Sequence, residues 1–350
     1  MNQLVIGLVS AAFVTAAGCS SKPPPAAPSP PAAAPQEAAP SPPPADKAPD
    51  ASASLEARRK QMTALLDEQW QYTLKRSPEL ASILGDRRYN DQWSDSSTEA
   101  VMADLGEAKK FLARFEAIDT AGFPEQEALS QQLMVRRLKD RLDNARFENW
   151  LMPIDQFGGA HIQLPSLVPS LPFQKVKDYD DYIARLEKVP AVFDQLIALM
   201  KEGLGKQLVP PRLLLELCVG QAQKLGAGPP KDSPFALPLG KFPADLPKTD
   251  QDRIRTAVIA AIQGKVQPAY HKLTAFLRDE YVPRGRKDIG LWALPDGDAR
   301  YAAAIKRTTT TELSAEEIHA IGLAEVTRIE GEQAAIGKKL GFPDFAAFKR

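Results

Sequence analysis

Few residues in this chain could do chemistry. His161, His271 and His319 are its three histidines, and they stand far apart in the sequence. A zinc site built from them lacks the short spacings by which histidines converge on one ion. The densest set lies in "TTTTELSAEEIHAIGLAEVTRIEGE", Thr308 to Glu332, which places His319 among carboxylates within one helix-length. Glu316 and His319 are three apart, half of the pattern that binds a di-iron centre in helical bundles, but there is no second copy. H-E-x-x-H, G-x-S-x-G, S-x-x-K, P-loop, G-x-G-x-x-G and C-x-x-C patterns are all absent. These 350 residues therefore hold no catalytic motif and no metal motif.

Two positions remain as candidates. His161 sits in "FGGAHIQLP", beside Gly158 and Gly159, whose missing side chains let a backbone come close to a ligand. The bland reading is a loop histidine bonded to backbone. Glu325 falls inside the apolar stripe of its helix, formed at about 100° per residue by Ile318, Ile321, Val326, Ile329 and Ile336. A carboxylate there must be paired, neutral or facing a cavity. One reading is an ion pair with an Arg of a neighbouring helix, the other a carboxylate lining a cleft. Cys218, in the apolar run "RLLLELCVG", reads as a buried inert thiol, and His271 as a helix-surface residue. "DRRYNDQWSD" lacks the central Gly and final Glu of a calcium loop and reads as a polar turn docked by Tyr89 and Trp93.

The elements that position these residues are helical almost throughout, so the fold class is all-α. Ser54 reads as the N-cap of a first helix, and Ser77 with Pro78 opens a short one that Gly85 stops. Amphipathic helices follow at 98–118 and 124–148. Residues 150–173 carry four prolines and a Gly-Gly pair and read as an irregular apolar loop, the kind that lines clefts. Helices resume at 178–188, 190–202 and 211–225, then a Pro/Gly loop spans 226–249. Asp250 to Tyr281 reads as one long helix kinked at Pro268. Ile289 to Leu294 is the only stretch resembling a strand. Ser314 with Glu317 forms a capping box for the helix that follows. The chain ends inside a further helix begun at Pro343, which reads as an interruption, so the domain over 55–350 is expected to be incomplete at its C-terminus.

The N-terminus points to export. Residues 1–18 hold an apolar run of signal-peptide length, ending in small residues before Cys19. Ala16, Ala17 and Gly18 before Cys19 resemble a bacterial lipobox, which implies a lipid on Cys19 and a membrane anchor. Ala16 stands where a Leu is usual, and no Lys or Arg precedes the apolar run. Residues 19–54 are a Pro/Ala-rich disordered tether, unable to bury a core. Ser20 and Ser21 imply outer-membrane sorting, facing the periplasm. Lys plus Arg and Asp plus Glu both number 44, so no global charge draws the chain to nucleic acid.

"GDRRYNDQWSD", "PIDQFGGAHIQLPSL" and "LWALPDGDARYAAAIKRTTTTELSAEEIHAIGLAEVTRIEGE" occur in an order that resembles the bacterial domain of unknown function 885 family, over about residues 55–350. The resemblance implies an exported lipoprotein related to helical zinc metallopeptidases of carboxypeptidase-like type, acting on peptides in a deep cleft. Zinc there activates water and a Glu serves as base. No residue here matches that zinc set, so the chain looks like an N-terminal part and zinc is expected only in a full-length member. The resemblance also implies that Gly158, Gly159 and Tyr301 face the cleft. Two functions compete: a peptidase-like lipoprotein whose catalytic half is absent from this chain, and a non-catalytic helical lipoprotein that binds a peptide or envelope protein. The oligomeric state is not legible.

Overall fold

The computed structural model describes residues 51–349, with side chains from Ser54 onward. The signal sequence, Cys19 and all but the end of the tether lie outside the described residues. Twelve α-helices follow in order: α1 (Ala51–Arg76), α2 (Pro78–Ile83), α3 (Thr98–Glu116), α4 (Glu125–Ala145), α5 (Ala160–Leu167), α6 (Val176–Gly205), α7 (Arg212–Gly226), α8 (Lys248–Ala261), α9 (Gln267–Phe276), α10 (Gly297–Thr309), α11 (Ala315–Lys339) and α12 (Phe345–Lys349). Among the described residues there is no strand, only an isolated bridge between Pro211 and Arg286. The chain is all-α. The strand-like Ile289–Leu294 stretch is instead a 3-10 turn at Leu291–Ala293.

Helices α1, α3 and α4 close on one core of Met62, Leu65, Phe111, Phe115 and Leu138. Ser97 caps α3 by accepting from the Ala100 N–H at 3.2 Å. The one buried carboxylate of this layer, Asp104, accepts from the Tyr72 hydroxyl at 2.8 Å and from Arg141. A buried charge must be met in this way.

The main core is built around α6. Tyr179, Tyr182, Leu186, Val189, Phe193 and Met200 are fully buried on its inner side. The sequence predicts a break before Pro190, yet α6 runs through it for 30 residues. Proline inside a helix costs about 3 kcal/mol. Each large apolar side chain buried beside it returns about 1.5–3 kcal/mol, so packing wins. The same competition places α5 in the expected loop, with Pro165 inside it and Leu164 and Leu167 buried.

The long helix around Pro268 is continuous but not all α. A π segment at Ile262–Val266 separates α8 from α9, and a second at Leu277–Tyr281 follows α9. Pro268 has no N–H to give the Gly264 carbonyl, so the ladder is interrupted where the sequence predicts it.

Arg185 of α6 binds the 78–93 segment to the main core. It is fully buried, and its guanidinium donates to the carbonyls of Gln92, Pro78 and Tyr89 and to the Ser82 hydroxyl at 2.7–3.2 Å. The Trp93 ring lies 5.0 Å from the guanidinium. Burial pulls the Arg185 pKa down to about 10.

Candidate functional site

The glycine pair belongs to a braced turn that opens α5. Asp155 Oδ1 accepts the N–H groups of Phe157 and Gly158, each at 2.7 Å. This side-chain turn pulls the backbone tight before the helix begins. Gly159 has φ −71°, so handedness does not demand a glycine. Close approach does: a Cβ there would meet His161 Nδ1 at 2.4 Å and Ile154 Cγ1 at 2.8 Å. Both glycines are buried.

His161 is not a loop residue. It lies in the first turn of α5, fully enclosed. Its Nε2 is 2.9 Å from Gln221 Oε1, while Gln221 Nε2 donates to the Gln156 carbonyl at 3.0 Å. With its amide nitrogen so engaged, Gln221 presents oxygen, and the ring donates from Nε2. Nδ1 is then a bare acceptor, buried without a partner. Burial lowers the His161 pKa, and the Gln221 bond and the Asp155 charge oppose this more weakly. The Tyr270 hydroxyl of α9 donates to the His161 carbonyl at 2.6 Å. The ring's one hydrogen bond runs to the Gln221 side chain, so the ring-to-backbone bond expected of a loop histidine is not made.

One turn before Gln221, Cys218 is fully buried, and burial pushes its thiol up to about 12. At neutral pH it is neither nucleophile nor ligand. Tyr281 is also enclosed, its hydroxyl unpartnered. This polar group therefore holds geometry and offers no exposed reactive atom. What it holds outward is Phe157, 85% exposed at the tip of the turn. Exposed Leu217 and Leu213 lie one and two turns before Gln221 on α7.

The other candidates lie elsewhere. Tyr301 is on α10 with its side chain half exposed. Its neighbour Arg300 anchors that helix, donating to Asn149 Oδ1 and to the Pro295 carbonyl at 2.7 Å. Glu325 is exposed on α11 and pairs with Arg328 of the same helix at 2.7 Å. The expected partner on a neighbouring helix is replaced by one a single turn away, because the stripe around Glu325 is itself open to solvent. His271 and His319 are both exposed. The structure thus gathers Gly158, Gly159 and His161 into one turn and sets Tyr301 and Glu325 on separate helices.

Sequence reasoning missed Asp155, Phe157, Gln221 and Tyr270. Two signals were present: an Asp three residues before Gly158, and a Gln three residues after Cys218 on the same helical side. Among the described residues, no group of three or more His, Cys, Asp or Glu residues could hold a metal ion. No described helix is long and apolar enough to cross a membrane.

A helical scaffold of this kind defines a class already known from bacteria. Residues 78–350 match the family described as "Bacterial protein of unknown function (DUF885)", and the chain belongs to that family. The fold is similar to the crystal structure of a "putative lipoprotein" from Colwellia psychrerythraea, with TM-score 0.75 and 21% identity, covering 83% of this chain and 53% of that one. The chain thus spans about half the length of that neighbour. No protein of curated function matches.

Proposed function

We propose that this chain is part of an envelope lipoprotein, anchored through Cys19 in the outer membrane and facing the periplasm, that engages peptides. In this reading the protein is of metallopeptidase-like type. Its zinc chemistry resides outside these 350 residues, and the present chain supplies a peptide-contacting wall. The observation that carries the proposal is the Asp155–His161 turn. Five hydrogen bonds around it, from Phe157, Gly158, His161, Gln221 and Tyr270, hold an aromatic side chain out into solvent. Rigid aromatic groups on a fixed backbone bind at low entropic cost, as expected of a recognition element.

Envelope placement is supported by the lipobox-like segment before Cys19 and by the lipoprotein description of the structural neighbour. Binding without catalysis is the second reading, and the enclosure of His161 favours it. The test is peptide binding to residues 55–350, followed by fluorescence anisotropy against a labelled random-peptide pool. Phe157→Ala should weaken binding about tenfold, the effect of losing a central aromatic anchor. Unchanged binding removes the turn from the peptide site. Zinc content and peptidase activity of a longer family member then separate the two readings.

A further inference from the structure

The glycine pair lets two ionisable groups press against adjacent units of one backbone turn. A Cβ on Gly158 would lie 3.1 Å from Asp155 Oδ2, and one on Gly159 would lie 2.4 Å from His161 Nδ1. The carboxylate is already engaged, since its Oδ1 accepts two backbone N–H groups. The imidazole is engaged on one side only. Its Nε2 meets Gln221, and Nδ1 has no partner although the ring is fully buried. A second proton on the ring turns Nδ1 into a charged donor with nothing in place to receive it. Two acceptors belong to the turn itself: the Asp155 carboxylate and Gln156 Oε1, which is also buried and unpartnered. Reaching either one pulls the turn apart. Asp155 would have to leave the Phe157 and Gly158 N–H groups, and Gln156 would have to shift the carbonyl that Gln221 holds.

The elements packed around the ring bring no carboxylate of their own to it. From α7 come the Cys218 thiol, which burial keeps protonated, and the uncharged Gln221 amide. From α9 comes the Tyr270 hydroxyl, already bonded to the His161 carbonyl. Tyr281, in the π segment after α9, is enclosed beside Cys218, and burial keeps both phenols protonated. The charge that acts on the ring is that of Asp155. We propose that the Asp155–His161 turn is an acid-operated latch: one proton taken up by His161 frees residues 156–162 from α7 while the main core stays folded. The core need not follow, because the turn is held to it through α7 by the two bonds of Gln221 and through α9 by the one from Tyr270. Phe157 rides on the same segment, so acid would also withdraw it from a bound peptide. That last consequence rests on the peptide-binding reading, whereas the latch does not.

Hydrogen exchange of the full chain tests the latch, read by mass spectrometry without peptide and corrected for the intrinsic pH dependence of amide exchange. A freed imidazole titrates at about 6.5, so each pH unit below that favours the open form about tenfold. Protection of residues 156–162 should fall about tenfold between pH 7.5 and 5.5, with residues 186–200 of α6 unchanged. Two variants should abolish the fall. His161→Gln cannot titrate, and Gln221→Glu sets a carboxylate against Nε2 and so keeps the charged ring in place. Equal protection at the two pH values, a matching fall at 186–200, or an undiminished fall in either variant that melts like the parent overturns the proposal.

Discussion

Trp93 and Arg185 hold each other twice. The indole N–H donates to the Arg185 carbonyl at 2.8 Å, and the guanidinium lies 5.0 Å from the indole ring. This pair closes the 78–93 segment onto α6 with no carboxylate in hydrogen-bonding contact with the buried cation. Arg185→Ala would leave the Gln92 and Tyr89 carbonyls and the Ser82 hydroxyl short of a partner. The expected loss is about 3 kcal/mol, from charged hydrogen bonds worth about 1.5–3 kcal/mol each and partial repair by water. Urea unfolding of the 55–350 domain measures it, and a loss under about 1 kcal/mol would remove Arg185 as the clasp.

Gly159→Ala tests the close approach of the His161 ring. The new methyl would need both the ring and Ile154 to move, since the contacts fall at 2.4 and 2.8 Å. Overpacking of this kind costs about 1–3 kcal/mol. Gly264→Ala meets nothing within 4 Å and serves as the control, expected to be neutral or slightly stabilising in thermal melts.

His161 gives a pH dependence with a definite sign. Its folded pKa lies below its unfolded value because the ring is buried. Between the two values the unfolded chain binds more protons, so stability falls as pH drops below about 6.5. Denaturation curves at pH 7.5 and 5.5 should therefore differ less in His161→Gln than in the parent. An equal acid loss in both would place the titration in the carboxylates.

Cys218 should resist thiol reagents. With burial pushing the thiol to about 12, labelling by an aromatic disulfide at pH 8 should be negligible in the folded 55–350 domain and complete in guanidinium. Rapid labelling of the native domain would mean that α7 opens locally.

Gln221→Leu removes both bonds that join α7 to the 155–161 turn. His161 Nε2 and the Gln156 carbonyl would then be left unpaired, at about 1–3 kcal/mol each before relaxation. Faster hydrogen exchange at residues 156–162 is the accompanying readout.

Apolar spacing made the helical class and most element positions legible, whereas α1 begins at Ala51, inside the expected tether, so Ser54 is not its cap, and Ser77 opens α2 without a side-chain cap bond. The Ser314–Glu317 capping box is present with both bonds, at 2.7 and 3.1 Å. Prolines misled where packing outweighed them, as at Pro165 and Pro190. Periodicity locates the apolar side of α11 but cannot say whether anything lies against it, which leaves Glu325 open between a neighbouring Arg and a cleft, and the fold pairs it with Arg328 of its own helix. The Asp155–Gln221 bracing was hidden because its partners are some 65 residues apart and their pairing depends on how α5 meets α7.

The π segment before Pro268 also acts as a phase corrector. On an unbroken helix at about 100° per residue, the buried positions of α9 would point well away from those of α8. One extra residue in the wide turn rotates the second half back, bringing Tyr270 under His161. The reading frame of that helix, counted in turns, is thus tied to the length of Ile262–Val266. A homologue lacking one residue there would keep an apolar pattern on each half, yet present a different side chain to the turn that carries Phe157.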